Sequence, residues 1–381
     1  MKKSIYLWRL TACVLTVCCV GVLAAGGGST GGLPRMTAQT PAWSPTFHFV
    51  PTVPLIGGDR YGFPDPRVMS DGLDFYITGT GEQCYHARTF QKNTLLHYHL
   101  DFDFKAEAKR VQMIWSLSLY RHTDGSYHAY ATLNYGGFNT SIGHFVPQPG
   151  THWSGQTPIT RWRLDRVLVP NAYDPIAVRE VDGTPYLIYA GTPPKMKGNR
   201  HIMAWRMNDP GTLDPSFEPR AILSPEKYRS EDRGGLHGGQ LVEAPTISRI
   251  QGKYVMLYSV GNFEAGNYKL GVGFSDTLIP PEGQTYQKLF APDPQNIWGS
   301  NRKKEILYLL QSEKPMWPNY SGAHLQAPGS GNLVQADGKY FLVFHARRPG
   351  PIAQRPRCTW VMPVQVNIQP NIPPEQWIRI P

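Results

Sequence analysis

One local pattern recurs five times in the 381-residue chain and narrows its fold more than any other feature: a turn built on Asp-Gly or Gln-Gly, followed at once by an aromatic-rich run. It occupies Asp71–Thr78, Asp124–Tyr130, Asp182–Tyr189, Gln251–Tyr258 and Asp337–Phe344. Such a dipeptide supplies the positive φ that a two-residue hairpin turn requires, so each copy joins two antiparallel strands. The residues before each turn are also strand-like: Pro66–Met69, Met113–Trp115, Ile176–Val178, Thr246–Ser248 and Asn332–Val334. Successive turns lie 53, 58, 69 and 86 residues apart, too irregular for a solenoid. These spacings suit blades of about four strands with insertions that grow towards the C-terminus. The expected fold is all-β, a five-bladed β-propeller forming a single catalytic domain over residues 51–381. A β-sandwich would give isolated Asp-Gly turns, not five with one downstream pattern.

Composition agrees with many short strands and tight turns: 17% charged, 12% aromatic, 38 Gly and 35 Pro. Residues 1–25 read differently. Lys2 and Lys3 precede an apolar stretch from Thr11 to Leu23 that ends in Ala24-Ala25, the pattern of a secretory signal peptide. Arg9 interrupts the stretch, which is short for a membrane span. Lipoprotein anchoring through Cys18 or Cys19 is the minor alternative, because bulky Val17 stands where a small residue is expected. Residues 26–50 form a flexible Gly/Pro-rich linker that begins with the Gly26–Gly32 spacer. The expected location is therefore secreted or periplasmic, with no stable membrane insertion after signal removal.

Without the signal peptide the formal charge falls from +10 to +7, and two of five cysteines remain, Cys84 and Cys358. They form either one disulfide or two buried thiols. The positive charge is scattered apart from Asn301–Lys304 and His345–Arg348, which argues against a nucleic-acid partner. A basic surface of this kind favours acidic or wall-associated polymers.

Three acids share a place in the repeat. Asp65 lies six residues before Asp71; Asp174 and Glu243 lie eight before Asp182 and Gln251. Each stands at the start of its blade's first strand, which lines the central channel, so the three converge on one pocket. Their settings are apolar and proline-bearing: Phe63-Pro-Asp65-Pro66, Ala172-Tyr-Asp174-Pro175 and Val242-Glu243-Ala-Pro245. Proline fixes the backbone and removes a competing donor, and apolar flanks shift a carboxyl's pKa as acid catalysis requires. Asp-Pro also occurs at Asp209, Asp214 and Asp293, between blades, where a plain turn is the expected role.

These residues resemble a family. Phe63–Val68, Tyr173–Ile176, Val242–Ile247, Tyr268–Asp276 and Phe344–Arg347 are similar, in order, to the blade signatures of glycoside hydrolase family 43. The resemblance implies a carbohydrate substrate and an inverting glycosidase of α-L-arabinofuranosidase or β-xylosidase type. It implies Asp65 as general base, Glu243 as general acid, and Asp174 as the group that orients the acid and raises its pKa. Galactosides or fructosides are alternative substrates. A non-catalytic carbohydrate-binding propeller is the alternative function, which has no need of an acid–base pair. A monomer is expected.

Trp115 lies nine residues before Asp124 and is either part of the sugar pocket, as the resemblance implies, or an inter-blade core residue. Phe63 is a second aromatic candidate for substrate binding. His345, ending the fifth hairpin, is a third, to hold a water, a cation or a hydrogen bond. Many family members place a histidine in a Gly-Pro-Gly-His motif that supports a central metal ion. This chain has Ala327-Pro-Gly-Ser330, so no cofactor is expected and structural calcium is doubtful. His324 is out of register, the His97/His99 pair is structural, and the glycines around His237 form a loop before the acid strand.

Overall fold

The computed structural model describes residues 54–58, 61–154, 156–194, 199–225, 240–264, 266–290, 306–311, 325–348 and 355–380. The expected signal peptide and linker, His237, Asp293, Asn301–Lys304 and His324 lie outside these residues. Five antiparallel sheets follow one another along the chain as the blades of a five-bladed propeller. Their innermost strands are Arg67–Asp71, Met113–Arg121, Tyr173–Arg179, Glu243–Ile250 and Gln326–Ala336 for blades I to V. Blade II gains one parallel outer strand, Asp101–Asp103 beside Arg161–Pro170.

All five Gly-bearing turns join a first strand to a second, but they are not one kind of turn. Blades IV and V have the expected two-residue loops, with Gln251 and Gly252, and Asp337 and Gly338, all at positive φ. In blade I the two-residue loop is Gly72-Leu73, with Gly72 alone at positive φ. Blades II and III close with five residues, 122–126 and 180–184. There the Asp124 and Asp182 carboxylates accept backbone N–H bonds from Ser126 and Thr184, as Asx turns do.

The core divides as a ring of blades requires. Five separate apolar clusters fill the gaps between neighbouring sheets, including the gap between blades V and I, where Ile56, Phe63 and Ile77 meet Val343 and Val361. Second strands are therefore covered on both faces, and Lys253–Val260 is buried from Tyr254 onward. Ring closure is reinforced by the first described segment. The N–H of Leu55 donates to the Thr359 carbonyl at 2.8 Å and that of Thr359 to Ile56 at 3.0 Å, which stitches the N-terminal segment to blade V. Cys84 and Cys358 are both buried and not joined in a disulfide, and the Cys358 thiol donates to the Gly58 carbonyl at 3.4 Å.

Candidate active site

A bulge near the start of four of the five inner strands builds the site. The ladder shifts by one residue between Trp115 and Ser118, Tyr173 and Ile176, Glu243 and Thr246, and Gly329 and Asn332. One residue in each bulge has left-handed backbone: Ser116, Asp174, Ala244 and Ser330, with Asp65 in the same place in blade I, at φ of 48–55°. Non-glycine residues adopt this conformation at a cost and only where neighbours enforce it. The bulges divide the channel lining into layers. Trp115, Tyr173, Glu243 and Gly329 form an upper ring and the five left-handed residues a middle one. Arg67, Ser118, Ile176, Thr246 and Asn332 lie below.

Asp174 and Glu243 therefore occupy different layers, although both stand eight residues before their turns. The equal count is a coincidence of turn length, five residues in blade III against two in blade IV. The equivalent of Asp174 is Ala244, and that of Glu243 is Tyr173.

The middle ring obeys a simple hydrogen-bond rule. The N–H of four of the five left-handed residues donates to a side chain on, or just past, the second strand of the preceding blade. Asp65 donates to His345 Nδ1 at 3.0 Å, Ser116 to Thr80 Oγ1 at 3.3 Å, Asp174 to Thr132 Oγ1 at 2.9 Å and Ser330 to Ser259 Oγ at 2.9 Å. In blade III the matching residue is Ala190, opposite Tyr173, which has nothing to offer. The Ala244 N–H is thereby released, and it donates to Asp174 Oδ2 at 2.9 Å.

Each carboxylate has its own surroundings. Asp65 accepts from Thr80 Oγ1 at 2.7 Å, Ser330 Oγ at 3.1 Å and Arg357 Nη1 at 3.1 Å. Burial alone would raise its pKa; the Arg357 guanidinium leads the groups that outweigh it and hold the carboxyl well below the usual range. Asp174 accepts from Ser116 Oγ as well as from Ala244. Burial pushes it up, Arg67 pulls it down and the Asp65 charge pushes it up again, with a net rise. Glu243 is pushed up to about 8, by burial first and then by the charge of Asp174. Its Oε1 accepts from the Tyr268 hydroxyl at 2.6 Å.

The three acids line one cavity of about 540 Å³ together with Trp115, Tyr173, Tyr268, Phe138, Phe263 and Arg357. Trp115 lies on the wall of this pocket rather than in an inter-blade core, its indole N–H turned to Met113 Sδ at 3.1 Å. Phe63 does not reach the cavity: it is 2% exposed, edge-on to Tyr85 and packed between blades I and V. His345 does not line it either. It is wholly buried and stacked on Tyr268 at 5.7 Å, with Nδ1 taken by the Asp65 N–H, and burial pushes its pKa down to about 4. It lies beneath the pocket, bonded to the Asp65 backbone and packed on the Tyr268 ring. Arg357, Tyr268 and Tyr173 line the pocket without having been singled out from sequence. Asp209 and Asp214 bond within their own turns, to the backbone N–H of Gly211 and Ser216.

A central cation does not fit these residues. Ser330 spends its hydroxyl on Asp65, His345 offers a single neutral nitrogen, and the side chain below is the Arg67 guanidinium, whose charge reaches both Asp174 and His345. No cluster of three or more His, Cys, Asp or Glu suited to a metal occurs among the described residues.

A five-bladed propeller with an ionised carboxylate and a high-pKa carboxyl in one aromatic-walled pocket defines a glycosidase-type site. The chain belongs to the family described as Glycosyl hydrolases family 43, which it matches over residues 54–367, and it is a glycoside hydrolase. Solved structures of similar fold include an α-L-arabinofuranosidase from Lactobacillus brevis, at 18% identity and a TM-score of 0.59 over 82% of this chain and 93% of that one. Another is an α-L-arabinanase from Cellvibrio cellulosa complexed with arabinohexaose, at 19% identity and 0.58 over 84% and 96%. A third is an endo-1,4-β-xylanase from Bacteroides thetaiotaomicron, at 17% and 0.58 over 86% and 96%. No curated protein matches the sequence.

Proposed function

We propose that the protein is an inverting glycosidase of α-L-arabinofuranosidase or β-xylosidase type, acting as a secreted or periplasmic monomer without a cofactor. The observation that carries this reading is the opposed setting of two carboxyls in one pocket. Asp65 is held ionised by Arg357, while Glu243 is pushed up to about 8 and keeps its proton at neutral pH. Asp65 is the base that draws a proton from water. Glu243 is the acid that protonates the leaving oxygen. Its Oε1 accepts from Tyr268, and the Tyr173 hydroxyl also bonds the carboxyl, so two phenols orient the acid.

Asp174 keeps that acid protonated by like charge and is itself fixed by Ser116 and Ala244. An inverting pair stands about 6.5–9.5 Å apart, with room for the water between. Arabinosides and xylosides are favoured by what the similar structures are reported to be, enzymes named for arabinan and xylan bonds. Trp115 and Phe138 give the pocket flat apolar faces for a sugar ring. The signal-peptide pattern of residues 1–25 supports export.

The test is an assay of the protein on nitrophenyl glycosides and on arabinan- and xylan-derived oligosaccharides, with the product anomer read by NMR. Asp65→Asn and Glu243→Gln are each expected to lower kcat by about 10²–10⁴ on oligosaccharides. A product of retained configuration would refute the inverting assignment. Sugar binding without turnover on any substrate would favour a binding propeller.

A further inference from the structure

Below the carboxylates the central channel changes character. The lower ring opens into a cavity of about 760 Å³ that runs to the turn ends of the inner strands, away from the sugar pocket. Its wall carries three cationic side chains, Arg67, Arg121 and Arg179, and one carboxylate, Asp71. That carboxylate is already engaged, by Arg121 Nη1 at 2.6 Å and the Tyr127 hydroxyl at 2.9 Å. Arg179 lies over the Tyr120 ring at 5.9 Å and makes no ion pair among the described residues. The channel is thus acidic at one mouth and basic at the other.

The same wall holds polar atoms that are buried and unbonded: Nε and Nη2 of Arg67, the Tyr120 hydroxyl and Nδ1 of His122. Arg67 is 2% exposed and Tyr120 7%. Buried donors in a folded protein are as a rule matched by an acceptor, and here the protein supplies none. A guanidinium edge and a phenol suit an acceptor with several charged oxygens, because Arg binds such groups through paired N–H bonds. The cavity also has room for more than a lone ion.

We propose that this channel is a second binding site, for an oxyanion of phosphate or sulfate type, free in solution or borne on a glycan. It is separate from the carbohydrate pocket and does not depend on the glycosidase reading. It also gives a place to part of the chain's positive charge.

Calorimetric titration of the full chain with sulfate and with phosphate, at constant ionic strength set by sodium chloride, tests the proposal. One anion per chain is expected. Arg179→Gln and Tyr120→Phe should each weaken binding by roughly tenfold, the loss of one hydrogen bond to a charged group. Glycoside hydrolysis in anion-free buffer should be unchanged in both. Arg67 is left intact because its charge also acts on Asp174. If Arg179→Gln does not fold, Tyr120→Phe, which removes only a hydroxyl, decides alone. A sulfated monosaccharide that binds more tightly than inorganic sulfate would identify a glycan as the source, and equal binding a free ion; either supports the site. No saturable heat, displacement by chloride at equal concentration, or wild-type affinity in the variants would overturn it.

Discussion

Glu243 carries a cost in the folded state that predicts two measurements. Its pKa rises from 4.5 in the free side chain to about 8, chiefly through burial. On the proposed mechanism the acid must be protonated and the base ionised, so kcat/KM should fall on the alkaline side with a pKa of about 8 in the free enzyme. The acidic limb should lie below the usual carboxylate range, because Arg357 holds Asp65 ionised against its burial. The sign for stability is the reverse of a salt-bridged acid. Because the folded pKa is raised, the native state binds this proton more tightly, and the associated stability is lost as pH rises from about 4.5 to about 8. Glu243→Gln removes the titration and can keep the Tyr268 bond through its amide oxygen. Thermal unfolding of that variant above pH 8 should show a gain of about 1–3 kcal/mol over wild type. Equal melting temperatures across the pH range would contradict this account of its pKa.

At the scale of the element, the bulges and the second strands act as one device, and Ala190 is its informative member. A hydroxyl there would capture the Ala244 N–H, as Thr80, Thr132 and Ser259 capture their neighbours', and would take it from Asp174. Ala190→Ser should therefore raise the Asp174 pKa and lower kcat by about tenfold while leaving the fold intact, as steady-state kinetics and circular dichroism would show. Gly329 makes a second test. A Cβ there would lie 2.1 Å from the Tyr268 ring, which is held between this glycine and His345. Gly329→Ala should displace the tyrosine from Glu243. Its bond lowers the acid's pKa, so the alkaline limb should move to higher pH.

What sequence could reveal follows the same division. Turns and strand patterns repeat along the chain, and so five hairpins and the convergence of three acids were legible. The bulges were not, since left-handed backbone at Asp65 or Ala244 carries no glycine to mark it. Arg357 meets Asp65 across 292 positions, a contact made only when the ring closes. Phe63 and His345 show the opposite failure. Each belongs to a recognisable motif, but the structure packs both beneath the pocket, Phe63 between blades I and V and His345 against Tyr268, where His345 keeps only a hydrogen-bonding part, to the Asp65 N–H.

For the whole molecule, the site depends on closure between blades I and V, because Asp65 comes from one and Arg357, Ser330 and His345 from the other. The N-terminal stitch holds that seam. Leu55 and Ile56 are almost wholly buried in the cluster shared by the two blades, and Thr359 Oγ1 adds a bond to the Phe63 carbonyl at 2.8 Å, two residues before Asp65. Ile56→Ala should cost about 2–4 kcal/mol, the range for truncating a buried isoleucine. If the seam positions the base, the loss should also appear in function before global unfolding. Hydrogen exchange should rise first in the Leu55–Phe63 and Cys358–Trp360 amides. The Asp65 carboxylate, with a loosened Arg357, should titrate nearer its ordinary value, moving the acidic limb of kcat/KM upward. Uniform exchange across all five blades with an unmoved acidic limb would instead mean that the seam contributes stability alone, and that the Asp65–Arg357 pair is set within its own strands.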